Sequence, residues 1–150
     1  MYRHIGATWS RIWKEKGGGI KERAIAWRRG RAIVRLERPS RISKARRLGY
    51  KAKQGFVVVR VRVGRGGMRK QRPRAGRRPK HLGVVKIKAA ISMHEVAERR
   101  AGEKFPNLKV LNSYFLYRDG KYSWYEVILV DPHHPAIKAD KDLAWVSAKA

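Results

Sequence analysis

Apolar residues near the start of the chain recur every three to four positions, the spacing of one face of an α-helix. This spacing predicts one helix that ends at the glycines 17–19 and a second over residues 20–30. Most of the charged residues at the remaining positions are Lys or Arg, so both helices are expected to be amphipathic with a cationic polar face. Their apolar positions are Ile5, Trp9, Ile12, Trp13, Ile20, Ala24 and Trp27.

Residues 31–54 alternate between short apolar and basic pieces. An extended piece is predicted over 33–36, before Pro39, and a short basic helix from about Arg41 to Leu48. Ser40 is the expected N-cap of that helix, because a serine oxygen accepts an early helix amide, and Gly49 is its expected end.

The clearest strand of the first half runs from Gly55 to Val63. Its odd-numbered valines, 57 to 63, fall on one face, which we expect to join a core. Arg60 and Arg62 fall on the other face, two residues or ~7 Å apart. That separation is close to the spacing of successive phosphates, so the pair could bridge neighbouring phosphates. Simple solvation is the alternative.

Residues 64–80 contain eight Lys or Arg, no acid, and only Met68 and Ala75 as apolar side chains. Such a segment offers no apolar surface to offset the entropy lost on ordering. Fully extended, it could reach about 55 Å. We therefore predict an arm that becomes ordered in a groove of folded RNA.

The second half has the pattern of a folded scaffold. Ser92 and Glu95 form a capping-box pattern for a helix that runs to Gly102. Two β-rich runs, 108–117 and 122–130, flank Asp119-Gly120, a two-residue hairpin signal. The register expected for that turn pairs Tyr117 with Tyr122, Phe115 with Trp124 and Tyr114 with Tyr125. A turn of helix is predicted over 135–139.

Charge separates the two halves further. The 150 residues carry 38 Lys or Arg and 11 Asp or Glu, a formal net charge of +27. Residues 1–90 hold 29 of the basic residues and only three acids, whereas residues 91–150 hold nine basic and eight acidic residues. Such asymmetry points to nucleic acid or an anionic membrane as the partner and argues against a metabolic enzyme.

Several classes of protein are disfavoured. Without cysteine there is no disulfide framework or Cys-based zinc site, and the aliphatic run Val127–Val130 is far shorter than a transmembrane span. No secretory signal pattern is present, and a mitochondrial presequence is a minor alternative, so a soluble intracellular protein is expected. His133 and His134 are adjacent and point to opposite sides of an extended chain, and His94 has only Glu95 beside it. No catalytic residue, cofactor or metal ligand is predicted.

Short nucleic-acid motifs are weak. Residues 64–67 have the G-x-x-G form of a KH loop, but they follow a strand instead of joining two helices. Residues 53–57 faintly resemble an RRM signature that lacks its second aromatic residue. The five tryptophans could stack on bases, although core positions are about twice as common for such spacing.

Motifs across nearly the whole chain stand in one collinear order. They are Lys44–Gly55, Val57–Gly67, Gly83–Val84, Val96–Glu98, Arg100–Gly102, Leu108, Val110–Tyr114, Glu126–Pro132 and Trp145. Together they resemble the large-subunit ribosomal protein fifteen family of archaea and eukaryotes, the "e" type, which is unrelated to the bacterial protein of that number. Residues 136–143 look more archaeal than eukaryotic. Family members usually continue past the position of Ala150 in a basic Gly-, Arg- and His-rich tail that this sequence does not contain.

The resemblance implies an α+β fold with a β-α-β-α-β-β core and a mostly antiparallel sheet. It also implies no catalytic activity, no cofactor, and large-subunit rRNA and neighbouring ribosomal proteins as partners. We accordingly expect one domain over 1–150, with basic N-terminal helices in 1–54, an extended arm in 64–82, and an α+β core in 55–63 and 83–150.

The function predicted is that of a structural constituent of the large ribosomal subunit, which stabilises folded rRNA and so supports translation in the cytoplasm. No membrane partner, small-molecule substrate or homo-oligomer is expected. The alternative is a free nucleic-acid-binding protein, of chromatin or RNA-chaperone type. The predicted rRNA-binding residues are Arg28, Arg29, Arg31, Arg38, Arg41, Lys44, Arg46, Arg47, Lys51, Lys53, Gln54, Arg60, Arg62, Arg65, Arg69, Lys70, Arg72, Arg74, Arg77, Arg78, Lys80 and His81.

Overall fold

The structure is a computed structural model, and it describes residues 1–15, 18–67, 70–84 and 89–148. Its strands are β1 (Ile33–Leu36), β2 (Phe56–Gly64), β3 (Lys109–Arg118) and β4 (Tyr122–Val130). Its α-helices are α1 (Tyr2–Glu15), α2 (Gly18–Arg29), α3 (Ile42–Arg47), α4 (Met93–Lys104), α5 (Pro135–Lys138) and α6 (Ala144–Ala148). Short 3₁₀ turns cover Pro79–His81 and Lys141–Leu143.

The four strands form one sheet in the order β1-β2-β4-β3, and every neighbouring pair is antiparallel. β2 and β4 pair over their whole lengths, from Phe56 with Val130 to Gly64 with Tyr122. The order β1-α3-β2-α4-β3-β4 along the chain confirms the expected α+β fold and its β-α-β-α-β-β core.

The first face of the sheet packs against α4. Val59, Val61 and Val63 of β2 are buried there with Val127 and Leu129 of β4. Ala97 and Ala101 of α4 are fully buried against them, since alanine lets the helix approach the valine-rich surface closely. The valine face predicted from the alternation of β2 is therefore confirmed.

The second face of the sheet is also covered, by the N-terminal helices. Trp124 and Ile128 are buried there with Ala45 of α3, and Trp9 and Trp27 of α1 and α2 pack against this cluster. The expectation that the arginine-bearing face of β2 lies open is wrong. The apolar stripes of α1 and α2 need a surface to cover, and this face of the sheet provides it.

A third cluster closes the end of the sheet. Val130 packs with Ile137, Leu143 and Val146 from the C-terminal helical segments. Gly55 lies directly beneath this cluster with φ +88°, and a Cβ atom there would be 2.5 Å from Cγ1 of Ile137. The backbone approaches the helix so closely that only glycine fits at this position.

Of the two helix caps predicted from the sequence, the cap of α4 is present and the cap of α3 is not. The Ser92 hydroxyl oxygen accepts the Glu95 amide at 3.2 Å, as predicted, although α4 continues to Lys104. Within the described chain, α3 has no side-chain cap, and its N-cap residue is Arg41. The Ser40 amide donates instead to the buried Glu126 carboxylate at 3.1 Å, so this long-range contact replaces the expected cap.

The β3–β4 turn lies one residue later in the chain than predicted. Tyr117 pairs with Trp124, Phe115 with Tyr125 and Tyr114 with Glu126, so the expected register is wrong. The Asp119 amide donates to the Tyr122 carbonyl at 2.9 Å, and the Asp119 carboxylate accepts the amides of Lys121 and Tyr122 at 2.7 and 2.6 Å. The tip of the turn is therefore Gly120-Lys121 instead of Asp119-Gly120. Register shifts near Phe115 and Val110 move the pairing further.

Candidate nucleic-acid interface

The basic side chains of α2 and the residues that follow it lie on the surface. Arg28, Arg29 and Arg31, three of the predicted RNA-binding residues, are exposed. The Arg28 Nε atom is 3.3 Å from the Asp119 carboxylate, and this pair connects α2 to the β3–β4 turn. Arg29 and Arg31 extend from the adjoining surface.

A second group of basic side chains surrounds α3. Arg38, Arg46 and Arg47 are exposed, whereas Lys44 is half-buried. The Arg46 guanidinium donates to the Tyr2 hydroxyl and lies 5.4 Å from the Tyr2 ring centre. It therefore helps to hold α1 while still facing solvent.

Arg41 is partly enclosed by the protein. Its guanidinium carbon lies 5.8 Å from the Trp9 ring centre, and its side chain is half-buried at the start of α3. This placement gives Arg41 a packing role between α1 and α3 in addition to any contact with a ligand.

Lys51 and Lys53 form ion pairs with the C-terminal segment. The Lys51 ammonium contacts Asp140 at 2.8 Å and Asp142 at 2.7 Å, and Lys53 contacts the same Asp140 carboxylate. Hydrogen bonds from Lys51 and then Lys53 hold the pKa of Asp140 well below its usual range, and the bond to Asp140 raises the pKa of Lys51. These two lysines are occupied within the protein, whereas neighbouring Gln54 is exposed.

Arg60 and Arg62 lie beneath α2. The Arg60 guanidinium lies 4.6 Å from the Trp27 ring centre, and Arg62 lies 4.8 Å from that of Tyr122 and donates to the carbonyls of Trp27 and Arg28. Burial lowers the pKa of Arg60, which the negative charge of Glu126 opposes. Both guanidinium groups thus have partners within the protein and do not form the open pair that the sequence predicts.

The arm is an exposed basic part of the described chain. Arg65 follows β2, and its amide donates to the Lys121 carbonyl at 2.8 Å, which extends the pairing of β2 with β4 by one residue. Beyond it, every described residue from 66 to 81 is exposed, and a 3₁₀ turn at Pro79–His81 is the one helical element described there. These exposed residues include Lys70, Arg72, Arg74, Arg77, Arg78, Lys80 and His81. Arg69 lies outside the described residues.

Glu126 is an acid in the centre of the sheet and is fully buried. Its carboxylate accepts hydrogen bonds from the Ser40 amide and the Tyr114 hydroxyl, and it faces the positive charge of Arg60. Burial raises the pKa of Glu126, while these three partners lower it; burial also raises the pKa of Tyr114 strongly. This network joins the loop before α3 to both central strands.

Further exposed basic side chains lie beside the predicted set. Arg3, Arg11, Lys21, Arg23 and Arg35 all face solvent on α1, α2 and β1. The polar-face pattern of the two helices could have identified the first four of them. Arg35 and Arg118 lie on β1 and β3, the outer strands of the sheet. Their exposure depends on the strand order, which the local sequence pattern does not show.

Two of the histidines are explained by local structure. Nδ1 of His134 accepts the Ala136 amide at 3.2 Å and caps α5. His94 contacts Ser113, whose hydroxyl also donates to Glu98, so Ser113 bridges the other two side chains. In a catalytic triad the acid orients the histidine base, which in turn activates the serine. Here the acid, Glu98, contacts the serine instead, so the arrangement differs from a triad.

One family model, described as Ribosomal L15 and of the L15e type, matches residues 1–150. The chain belongs to the L15e family of ribosomal proteins. L15e proteins are structural components of the large ribosomal subunit and are not enzymes. In this L15e chain, the helices that the structure describes are all too short or too polar to cross a bilayer.

Proposed function

We propose that this protein binds and stabilises folded large-subunit rRNA through its basic N-terminal helices and its extended arm, and thereby supports translation. The observation that carries the proposal is the arm. Its described residues from 66 to 81 are all exposed and include six Lys or Arg and no acid. A segment of this composition has too little apolar surface to fold alone, and a polyanion is the partner that its charge would bind.

The mechanism is neutralisation of the RNA backbone. Arginine accounts for 22 of the 38 basic residues, and its planar fork donates two hydrogen bonds to one phosphate. Contacts of this kind position the protein and stabilise folded RNA without reading its sequence. We propose that the exposed members of the predicted set make most of these contacts.

The half-buried members of the set support the interface from behind. Arg60 and Arg62 fasten α2 to the sheet, and Lys51 and Lys53 fasten the segment before β2 to the C-terminal segment. We propose that they set the positions of the exposed basic residues, with Gln54 and Arg41 at the margins of the interface.

The cellular setting of the proposal is the cytoplasmic ribosome. Neighbouring large-subunit proteins are expected partners, the chain acts as a single copy, and the archaeal character of residues 136–143 suggests an archaeal source. The family match supports the ribosomal setting, and the resemblance described above supports the archaeal source.

Sedimentation of a native cell extract tests the function. At low salt we expect the protein in the large-subunit fractions of a sucrose gradient, and we expect it to stay there until the salt concentration is high enough to displace it. Recovery at the top of the gradient at low salt contradicts the proposal. Recovery with chromosomal DNA would favour a free nucleic-acid-binding protein instead.

A further inference from the structure

A surface cavity of about 410 Å³ lies on the first face of the sheet, next to the N-terminal end of α4. Its walls include Arg65, Met93, Phe115, Arg118 and Tyr125. The volume is within the roughly 300–1,000 Å³ of sites that hold a small molecule or one group of a larger ligand.

The fold creates this cavity because α4 is shorter than the strands beneath it. Side chains alternate along each strand, so Arg65 follows Val63 on the face that packs against α4, and Phe115 pairs with Tyr125 on the same face. Since α4 begins at Met93, it leaves the far end of this face uncovered.

An aromatic ring forms the floor. Among the large apolar side chains of the described strands, Phe115 is the exposed one, at 46%. Its ring meets the Tyr125 ring edge-on at 5.8 Å, and Tyr125 in turn stacks on His94 at 5.1 Å. The exposed ring therefore rests against Tyr125, which is itself packed on His94.

The walls carry positive charge. The Arg65 guanidinium donates to the Asp119 carbonyl at 2.7 Å, which fixes it at one side, and Arg118 lies close by on β3. Among the described residues that line the cavity there are two arginines and no carboxylate. Gly66 of the arm lies at the edge of the same cavity.

We propose that this cavity binds one unpaired nucleotide of the RNA, with the base stacked on Phe115 and the phosphate held by Arg65 and Arg118. The proposal rests on the RNA-binding function proposed above and adds a specific site to it. An aromatic ring stacks on any base, but only an unpaired base can leave its helix to reach the ring. The cavity contains two arginines and no carboxylate among its described lining residues. It therefore favours a phosphate-bearing ligand over a protein segment that contains few Asp or Glu residues.

Two RNA hairpins test the site with the full chain. They have the same stem, and one contains a single unpaired 2-aminopurine, a fluorescent base. We expect the wild type to bind the bulged hairpin at least about fivefold more tightly than the paired one, and to change the fluorescence of the bulged base. In Phe115→Leu we expect this preference and the fluorescence change to be lost, while binding of the paired hairpin stays as in the wild type.

Two further variants make the result decisive. Trp145→Leu removes an exposed aromatic side chain far along the chain from the cavity and is expected to keep the preference. Arg118→Gln is expected to weaken binding of the bulged hairpin more than that of the paired one. If Phe115→Leu does not give the circular dichroism spectrum of the folded wild type, the result for Arg118→Gln tests the nucleotide site in its place.

The proposed site and the proposed function fail in different ways. Equal binding of the two hairpins by the wild type, or a preference that persists in Phe115→Leu, overturns the nucleotide site and leaves RNA binding in place. The cavity would then fit a side chain of a neighbouring protein better. A wild type that binds neither hairpin overturns the proposed function and the site together.

Discussion

The guanidinium group of Arg60 lies 4.6 Å from the centre of the Trp27 ring, and this contact joins the central sheet to α2. At the next position of the same face, Arg62 donates to the Trp27 carbonyl at 3.4 Å. The Trp27 ring also meets the buried Trp124 ring at 5.9 Å. Trp27 and two arginines of β2 thus attach α2 to the sheet, beside the Arg28–Asp119 pair.

Replacing Trp27 should loosen this attachment. Trp27 is half-buried, so we expect Trp27→Ala to lower the free energy of unfolding by about 2 kcal/mol, less than the roughly 3–5 kcal/mol of a fully buried aromatic residue. Urea denaturation followed by circular dichroism measures the change. Trp145→Ala, at a 52% exposed tryptophan, is the control, and equal losses in the two variants would contradict the attachment.

Gly55 should tolerate no side chain. Its φ is +88°, and a Cβ atom added there would lie 2.5 Å from Cγ1 of Ile137. We therefore expect Gly55→Ala to lose about 2 kcal/mol or more of unfolding free energy. Gly64→Ala is the matched control at the other end of β2, because a Cβ atom there meets nothing within 4 Å. Similar thermal midpoints for the two variants would mean that α5 does not pack on Gly55.

The buried Glu126 should make stability depend on pH. Burial raises its pKa in the folded state above the ordinary value of 4.5, so folding favours the protonated form. The contribution of Glu126 is therefore fully present below pH 4.5 and is lost as the pH rises through the folded-state pKa. We expect the unfolding free energy of the wild type, relative to Glu126→Gln, to decrease as the pH rises above 4.5. A difference that grows with pH, measured by urea denaturation, would show that the hydrogen bonds outweigh burial.

Asp140 should have the opposite dependence. Lys51 and Lys53 lower its pKa below the ordinary value of 3.8, so its contribution is present above pH 3.8 and is lost as the pH falls below it. We expect the stability difference between the wild type and Asp140→Asn to shrink on acidification below that pH. Glu22→Gln, an exposed acid on α2, controls for the change in net charge. A difference that is independent of pH would mean that the pairs contribute nothing to folding.

The sequence predicts those features that depend on local spacing. The valine alternation of β2, the Ser92 cap and the exposed arm all follow from neighbouring residues. The register of the β3–β4 hairpin does not, because Asp119 accepts two turn amides and the tip lies at Gly120-Lys121, and because a bulge near Phe115 moves the pairing further.

Several predicted binding residues have partners that are distant in the chain. Lys51 contacts Asp140 and Arg60 stacks on Trp27, and neither partner can be recognised from the residues beside the arginine or lysine. The same is true of Ser40, which has the right type and position for a cap but donates its amide to Glu126. Exposed and structural basic residues therefore have the same local pattern, and only the fold separates them.

The arm should determine how strongly RNA binding depends on salt. Each basic residue that contacts a duplex phosphate contributes about −0.9 to the slope of log K against log salt. If all four arginines at 72, 74, 77 and 78 contact phosphate, their replacement by glutamine should flatten the slope by about 3 to 4. Filter binding of large-subunit rRNA across a salt series measures it. A control with the same loss of charge replaces the exposed Arg99, Arg100, Lys138 and Lys141 of the C-terminal half, and it should change the slope much less. Equal slopes in the arm variant and the wild type would mean that the arm does not touch the RNA backbone.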